Sequence, residues 1–274
     1  MFNSRPIRMS TQSEKADLLK KLHHSGQMLV LPNIWDAAGA LMLENLGYPA
    51  VATASAAIAR AHGYEDGEHI PFEFLLTIVS QIVKSVGVPV TVDIETGYAP
   101  DRETLKSNIR RLIGAGVAGI NIEDSDVRSR ELVPVIEQME KLKLIGRAAE
   151  RENTRLFVNA RTDVFLVATD LSESQKLALA IERGRAYVEA GADAVYPIFA
   201  REEGAISTLV AALKVPVNVL ARTGVPDLDV LQRLGVSRVS FGPNVQKATY
   251  LDMEAMLKNI RDGLSHHPVT GPHI

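Results

Sequence analysis

Eight times along the chain a short apolar run gives way to a helix-like pattern, and this recurrence restricts the fold more than any single motif. The runs are MLVLP (28–32), PAVATAS (49–55), VPVTVDIE (88–95), AGINIED (118–124), RLFVNAR (155–161), ADAVYP (192–197), VPVNVLA (215–221) and SRVSFG (237–242). Helical periodicity predicts segments near 35–47, 72–86, 101–115, 131–152, 173–190, 202–213, 226–234 and 244–262. Gly47, Gly87, Gly116, Gly191 and Gly235 each fall between a helix and the next strand, where a helix C-cap favours glycine. Strands alternating with helices imply parallel βα repeats. Eight repeats close into a (β/α)8 TIM barrel, read here as a single α/β domain. An open doubly wound sheet is the competing architecture, and the lack of any G-x-G-x-x-G after the first strand argues against it.

A length of 274 residues suits one such barrel. The formal net charge of −3 gives no electrostatic basis for binding nucleic acid or an anionic membrane, and neither partner is expected. The absence of cysteine excludes disulfides, thiolate metal sites and a cysteine nucleophile. No apolar run approaches the ~20 residues of a membrane span. The stretch MFNSRPIRMSTQSEKADLLKKLHHSG is charged and has no signal-peptide apolar core, so a cytoplasmic location is expected. Met9 is a candidate natural start, with residues 1–8 a disordered leader. The expected organisation is a leader and helix over 1–25, a catalytic barrel over 26–264 and a tail over 265–274.

Barrel chemistry gathers at the C-terminal ends of the strands. In VTVDIETGYAP (89–99), Val90, Val92 and Ile94 take one face of a strand, and Thr91, Asp93 and Glu95 take the other. Two acids on one face, roughly 7 Å apart along a strand, repel unless a cation or proton lies between them. The same alternation turns Asn121 and Glu123 inward in the fourth run, and Phe157, Asn159 and Arg161 in the fifth. It turns Asn218 inward in the seventh run, and Ser240 and Gly242 in the eighth. The second run ends in Thr53, Ala54 and Ser55 and is followed by Ala56, all small enough for a ligand to approach the backbone. Asp93, Glu95 and Glu123, without histidine or cysteine partners, suit a hard cation such as Mg²⁺ or Mn²⁺. Arg161 offers a fork for a substrate carboxylate or phosphonate. The alternative is an internal salt-bridge network, Arg161 with Glu123 or Asp93, closing the barrel top.

Several longer stretches resemble the isocitrate lyase/phosphoenolpyruvate mutase superfamily. They are PNIWDAAGALMLENLGYPAVATASAAIARAHGYEDGE (32–68), VPVTVDIETGYAPD (88–101), GVAGINIEDS (116–125), FVNARTDVF (157–165) and GVSRVSFGPN (235–244), and DIETGY followed by NIED and ARTD is the specific combination. The resemblance implies a (β/α)8 barrel that binds Mg²⁺ and a 2-oxo acid and makes or breaks a C–C or P–C bond beside the carbonyl. It implies Asp93 as the direct metal ligand, with Glu95 and Glu123 acting through metal-bound water. It makes Arg161 the group that binds the substrate carboxylate or stabilises the departing group. The amides around Ala54, Ser55 and Ala56 would hold the carboxylate. Asp66 matches an acid near the reacting centre, a loop acid being the alternative reading. The chain departs from the lyases in lacking their K-[KR]-C-G-H loop, because EDSDVRSRELVPVIEQME runs from the fourth strand towards a helix. It departs from the mutases in reading VYPIF where they carry a histidine.

The expected function is Mg²⁺-dependent cleavage of a C–C bond next to the carbonyl of a small, oxaloacetate-like 2-oxo acid, through a metal-stabilised enolate. Asp93, Arg161 and Asn218 are the expected substrate-binding side chains, and Arg161, Glu123 and Asp66 the expected catalytic ones. A phosphonomutase or hydrolase acting on a P–C bond is the second reading, and a catalytically silent barrel that binds an oxo acid is the third. His23, His24, His266, His267 and His273 are read as surface residues, and Lys141, Lys143 and Arg147 as a wet helix face. His62 and His69 flank the loop after the second strand and are read as loop histidines. Trp35 is read as rim packing and Asp36 as a helix cap. The segment 244–262 carries a broad apolar stripe of Val245, Ala248, Leu251, Met253, Met256, Leu257 and Ile260. A homotetramer with this helix at an interface is expected, the alternative being that the stripe only closes the last βα unit.

Overall fold

The computed structural model describes residues 11–263. The leader of residues 1–8, Met9, the tail of residues 265–274 and with it His266, His267 and His273 lie outside the described residues. The elements run α1 Gln12–His23, β1 Leu29–Leu31, β2 Asn33–Ile34, α2 Ala37–Asn45, β3 Val51–Thr53, α3 Ser55–Ala61, α4 Phe72–Ser85 and β4 Val90–Asp93. They continue with α5 Arg102–Gly114, β5 Gly119–Glu123, α6 Val135–Arg151, β6 Phe157–Thr162, α7 Val164–Val167, α8 Glu173–Glu189 and β7 Ala194–Pro197. The last are α9 Glu203–Leu213, β8 Asn218–Leu220, α10 Leu228–Arg233, β9 Arg238–Ser240 and α11 Asn244–Arg261.

All strand pairs are parallel. Strands β2 to β7 form one sheet in chain order, and β8, β9 and β1 form another. Pro32 alone separates β1 from β2, and a parallel bridge between Val195 and Val217 brings β7 to β8, so the strands run round a barrel. Val90, Val92, Ile120, Ile122 and Val158 pack outward with Ile109, Leu112, Leu142 and Ile145 of the surrounding helices. That layer is the main apolar core, buried as parallel strands between helices must be.

Local chemistry explains the helix starts. Asp36 accepts from the Gly39 amide at 2.7 Å to cap α2, and Asp101 accepts from Thr104 at 2.8 Å to cap α5. Thr11 with Glu14, and Ser172 with Gln175, form capping boxes on α1 and α8. Pro134 precedes α6, which therefore begins at Val135 rather than near 131. The short elements β2, α3 and α7 escape a periodicity reading because none spans two helical turns or a full strand alternation.

His23 is not a surface residue. Ala16, Leu19 and His23 share one buried face of α1, and the His23 ring stacks on Phe157 at a centroid distance of 4.1 Å. The face closes the N-terminal end of the barrel. Gly119 permits the approach, since a Cβ there would lie 2.7 Å from Leu19 and 2.9 Å from the Phe157 carbonyl. Burial, with the positive charge of Arg238, pushes the imidazole down to about 3. Lys141 also departs from the wet-face reading: its Nζ donates to the Thr96 carbonyl at 3.1 Å beneath the loop after β4, and burial lowers its ammonium.

The apolar stripe of α11 does not cover the barrel. Gln246 is its one buried residue, anchored by Nε2 to the Ala57 carbonyl at 2.7 Å, whereas Leu251 is 66% and Leu257 56% exposed. Trp35 meets Tyr250 edge to face and ties the helix start to the rim. Among the described residues, no helix is long and apolar enough to cross a membrane.

Candidate active site

The strand ends bring Asp93, Glu123 and Arg161 together. Asp93 ends β4 and Glu123 ends β5, while Arg161 is the register partner of Glu123 in β6. Arg161 Nη1 lies 2.6 Å from Glu123 Oε2, and its Nε lies 2.6 Å from Asp163 Oδ1. Of the two ion pairs weighed for Arg161, that with Glu123 forms, and the second partner is Asp163 rather than Asp93. Asp163 is held in turn by Ser125 Oγ, and its amide donates to Asp124 Oδ1 at 2.8 Å. Asp124 Oδ2 accepts from Arg183 Nε at 2.7 Å and from the Tyr187 hydroxyl at 2.6 Å, all within the buried interior. Arg161 is thus positioned by a chain of buried partners reaching α8.

Asp93 is fixed from β3 and α3. Its amide donates to Thr53 Oγ1 at 3.1 Å, and its Oδ2 accepts from Ser55 Oγ at 2.9 Å and from the Ser55 amide at 3.3 Å. The Ser55 amide, expected to receive a substrate carboxylate, is therefore engaged by Asp93. Ala54 lies buried just before α3, and Ala56 is half-buried in its first turn.

Glu95 does not continue the alternation. The strand ends at Asp93, and Glu95 takes a left-handed backbone with φ 49°, a conformation uncommon outside glycine. Its side chain is buried, with the Tyr98 hydroxyl donating to Oε1 at 2.5 Å and the Glu68 amide donating to Oε2 at 2.8 Å. Glu68 Oε1 accepts from the amides of Thr96 and Tyr98 at 3.0 and 2.7 Å, clasping the loop after α3 to the loop after β4.

Asn218 does not reach the rim. It opens β8, is fully buried, and accepts from Ser240 Oγ at 3.1 Å inside the barrel. Asn159 likewise bonds Asn121 within the interior. His62 packs edge to face on Phe74, and the ring of exposed His69 contacts the Asp66 carbonyl. Asp66 sits in the loop over Ser55, near enough to Asp93 to feel its charge.

Electrostatics set these acids apart. Burial pushes the Glu95 carboxyl up to about 7, with Asp66 and Asp93 adding repulsion. Burial also raises Glu123, against the pull of Arg161 and with the push of Asp163, Asp93 and Glu95. Asp66, exposed in its loop, is raised by partial loss of water on its inner side and then by the Asp93 charge. Burial opposes the Arg161 charge, yet Glu123 and Asp163 outweigh it and hold the guanidinium firmly protonated. Glu123 and Asp163 contact the Arg161 cation, whereas Asp93 and Glu95 are held by neutral donors, and a bound divalent ion would favour the charged form of the raised carboxyls.

Among the described residues, no three His, Cys, Asp or Glu gather as a direct coordination set. Mg²⁺ keeps several waters and takes one or two carboxylates, so this all-oxygen donor set fits a hydrated ion rather than a caged one. A cavity of about 760 Å³ opens between Glu68, Phe72, Tyr98, Arg128 and Lys141. It borders the residues that hold Glu95 but not Asp93, Glu123 or Arg161, so the strand-end cluster rather than this hollow marks the candidate site.

The sequence pattern of the phosphoenolpyruvate phosphomutase family matches residues 19–261. The chain belongs to that family. The family lies in the isocitrate lyase/phosphoenolpyruvate mutase superfamily, whose neighbours share this parallel barrel architecture. A 2-methylisocitrate lyase of Bacillus subtilis is 29% identical over 78% of this chain and 69% of its own. A Mycobacterium tuberculosis protein of uncharacterized function is 32% identical over 81% of this chain and 80% of its own. A candidate phosphonomutase from Burkholderia cenocepacia superposes with a TM-score of 0.86 at 37% identity, covering 89% of this chain and 99% of its own. At 21% identity, phosphonopyruvate hydrolase in complex with oxalate and Mg²⁺ shares the fold with a TM-score of 0.81, over 95% of this chain and 90% of its own. Phosphoenolpyruvate mutase family relatives are lyases and phosphomutases, and the chain is an enzyme of that superfamily.

Proposed function

We propose that the protein is a Mg²⁺-dependent enzyme that cleaves the C–C bond next to the carbonyl of a small, oxaloacetate-like 2-oxo acid in the cytoplasm. The observation that carries this reading is the meeting of Asp93, Glu123 and Arg161 at the ends of neighbouring parallel strands, with the guanidinium paired to Glu123 at 2.6 Å. Asp93 would be the direct ligand of Mg²⁺, with Glu95 and Glu123 holding its water. Once bound, the ion supplies Lewis-acid polarisation of the substrate's oxo and carboxylate oxygens. Arg161 spends Nη1 on Glu123 and Nε on Asp163, leaving Nη2 to grip the substrate's anionic group. Asp66, with its raised carboxyl, lies in the loop over Ser55 and would act as the acid there. We take residues 26–264 as the catalytic domain, assembled into a homotetramer through α11.

Cleavage of a P–C bond is the second reading, favoured by the 37% identity to the candidate phosphonomutase. The deciding experiment incubates the protein and Mg²⁺ with oxaloacetate and related 2-oxo acids, phosphonopyruvate, isocitrate and methylisocitrate, following each by NMR. Loss of an oxaloacetate-like acid is expected. Isocitrate and methylisocitrate should survive, because no cysteine exists to act as acid/base. Loss of phosphonopyruvate alone would move the assignment to P–C chemistry, and loss of nothing would leave a silent barrel.

A further inference from the structure

One polar side chain at the barrel mouth has no role in the scheme above. Tyr196 lies in β7 as the register partner of Arg161, and partners in parallel strands direct their side chains to the same face. Its neighbour Val195 packs outward with the helices, whereas Ala194 lies in the interior cluster with Leu31 and Phe157, so Tyr196 points into the barrel. The ring is 4% exposed and sits with Ile198 and Leu220.

Among the described residues the hydroxyl has no hydrogen-bond partner, yet it is not among the buried polar atoms sealed away from solvent. Buried tyrosines ordinarily satisfy this group. Burial drives the phenol well above its usual range, and Asp93 adds to the rise against the opposing charges of Arg161 and Arg238. The phenol therefore stays neutral and remains a donor throughout the working pH range. Arg161 is its register partner and the Asp93 charge reaches it, so Tyr196 faces inward within electrostatic reach of the two groups expected to hold the substrate and its ion.

We propose that the Tyr196 hydroxyl donates a hydrogen bond to an anionic oxygen of the bound 2-oxo acid. This rests on the function proposed above and adds a contact that none of the motifs named for the family supplies. A neutral donor aimed at the oxygen on which charge grows strengthens as the bond breaks, so its loss falls on kcat more than on KM.

Tyr196→Phe tests the contact, because it removes only an oxygen that the protein leaves unbonded. The variant should match the wild type in urea unfolding and lose at least tenfold in kcat, with little change in KM. The shape of its pH profile should not change, since a neutral donor is removed rather than a titrating group. Oxalate, titrated in the presence of Mg²⁺, should bind the variant at least threefold more weakly. Wild-type turnover and oxalate affinity in Tyr196→Phe would overturn this contact while leaving the proposed function intact. A variant that loses stability in parallel with activity would assign the hydroxyl to packing and overturn the contact too. A wild type that consumes no acid of the panel would overturn both readings.

Discussion

Glu123 and Arg161 sit opposite each other on adjacent parallel strands, and their side chains meet at 2.6 Å. Both are largely shielded from water, so the pair is one of geometry rather than of loose surface attraction. Asp163 holds the other edge of the same guanidinium. The fork is therefore clamped on two sides before any substrate arrives, which reduces the ordering that binding would otherwise require.

Lysine cannot reproduce that clamp, because a point ammonium satisfies neither edge of the fork. Arg161→Lys should lower activity on the consumed 2-oxo acid by at least about tenfold, roughly 1.4 kcal/mol of transition-state stabilisation. Steady-state kinetics check this, and wild-type rates would return Arg161 to the structural network alone.

Asp93→Ala should weaken Mg²⁺ binding at least tenfold, read by calorimetric titration, with the far-ultraviolet circular dichroism unchanged. Among the described residues the side chain accepts only from Ser55, so its removal orphans one hydroxyl and one amide rather than a buried charge. An unaltered titration would remove Asp93 from the metal site.

His23 makes the fold sensitive to acid. Its folded value, about 3, lies below the unfolded reference of 6.5. The unfolded chain therefore takes up the proton first as pH falls, and the contribution to stability is present above 6.5 and lost on the way down to about 3. Within that window the slope attributable to this one group is about 1.4 kcal/mol per pH unit. Urea unfolding of His23→Phe, which keeps an aromatic ring against Phe157, should lack that part of the slope.

The uncovered stripe of α11 should hold subunits together. Replacing both Leu251 and Leu257 with aspartate should yield monomers of 29.8 kDa in light scattering at micromolar concentration, where the wild type should give a tetramer. A monomeric wild type would refute the assembly.

Period and parity located most of the barrel. They worked best inside the strands, where alternation forces Glu123 and Arg161 to one face. They failed once the chain left a strand: Glu95 follows Asp93 by two residues but turns through a left-handed backbone towards Tyr98 and Glu68. Glu68 and Asp163 were visible only as members of HGYEDGE and ARTD, since a loop acid shows its partners only after folding. Asn218 has the expected parity but sits at the wrong height, and parity carries no information about depth. His23 and Lys141 were misplaced because a helix of mixed polarity does not reveal which polar residue its packing will cover.

The helix beneath the barrel has a kinetic corollary. Leu19 and His23 of α1 cover the end opposite the strand tips that carry Asp93, Glu123 and Arg161, so among the described residues the strand tips are reached from the other end. Under the proposed cleavage, two fragments would depart through the opening by which their parent arrived, the one nearer the rim first. Release is then sequential, and the fragment lodged deeper should act as the competitive product inhibitor.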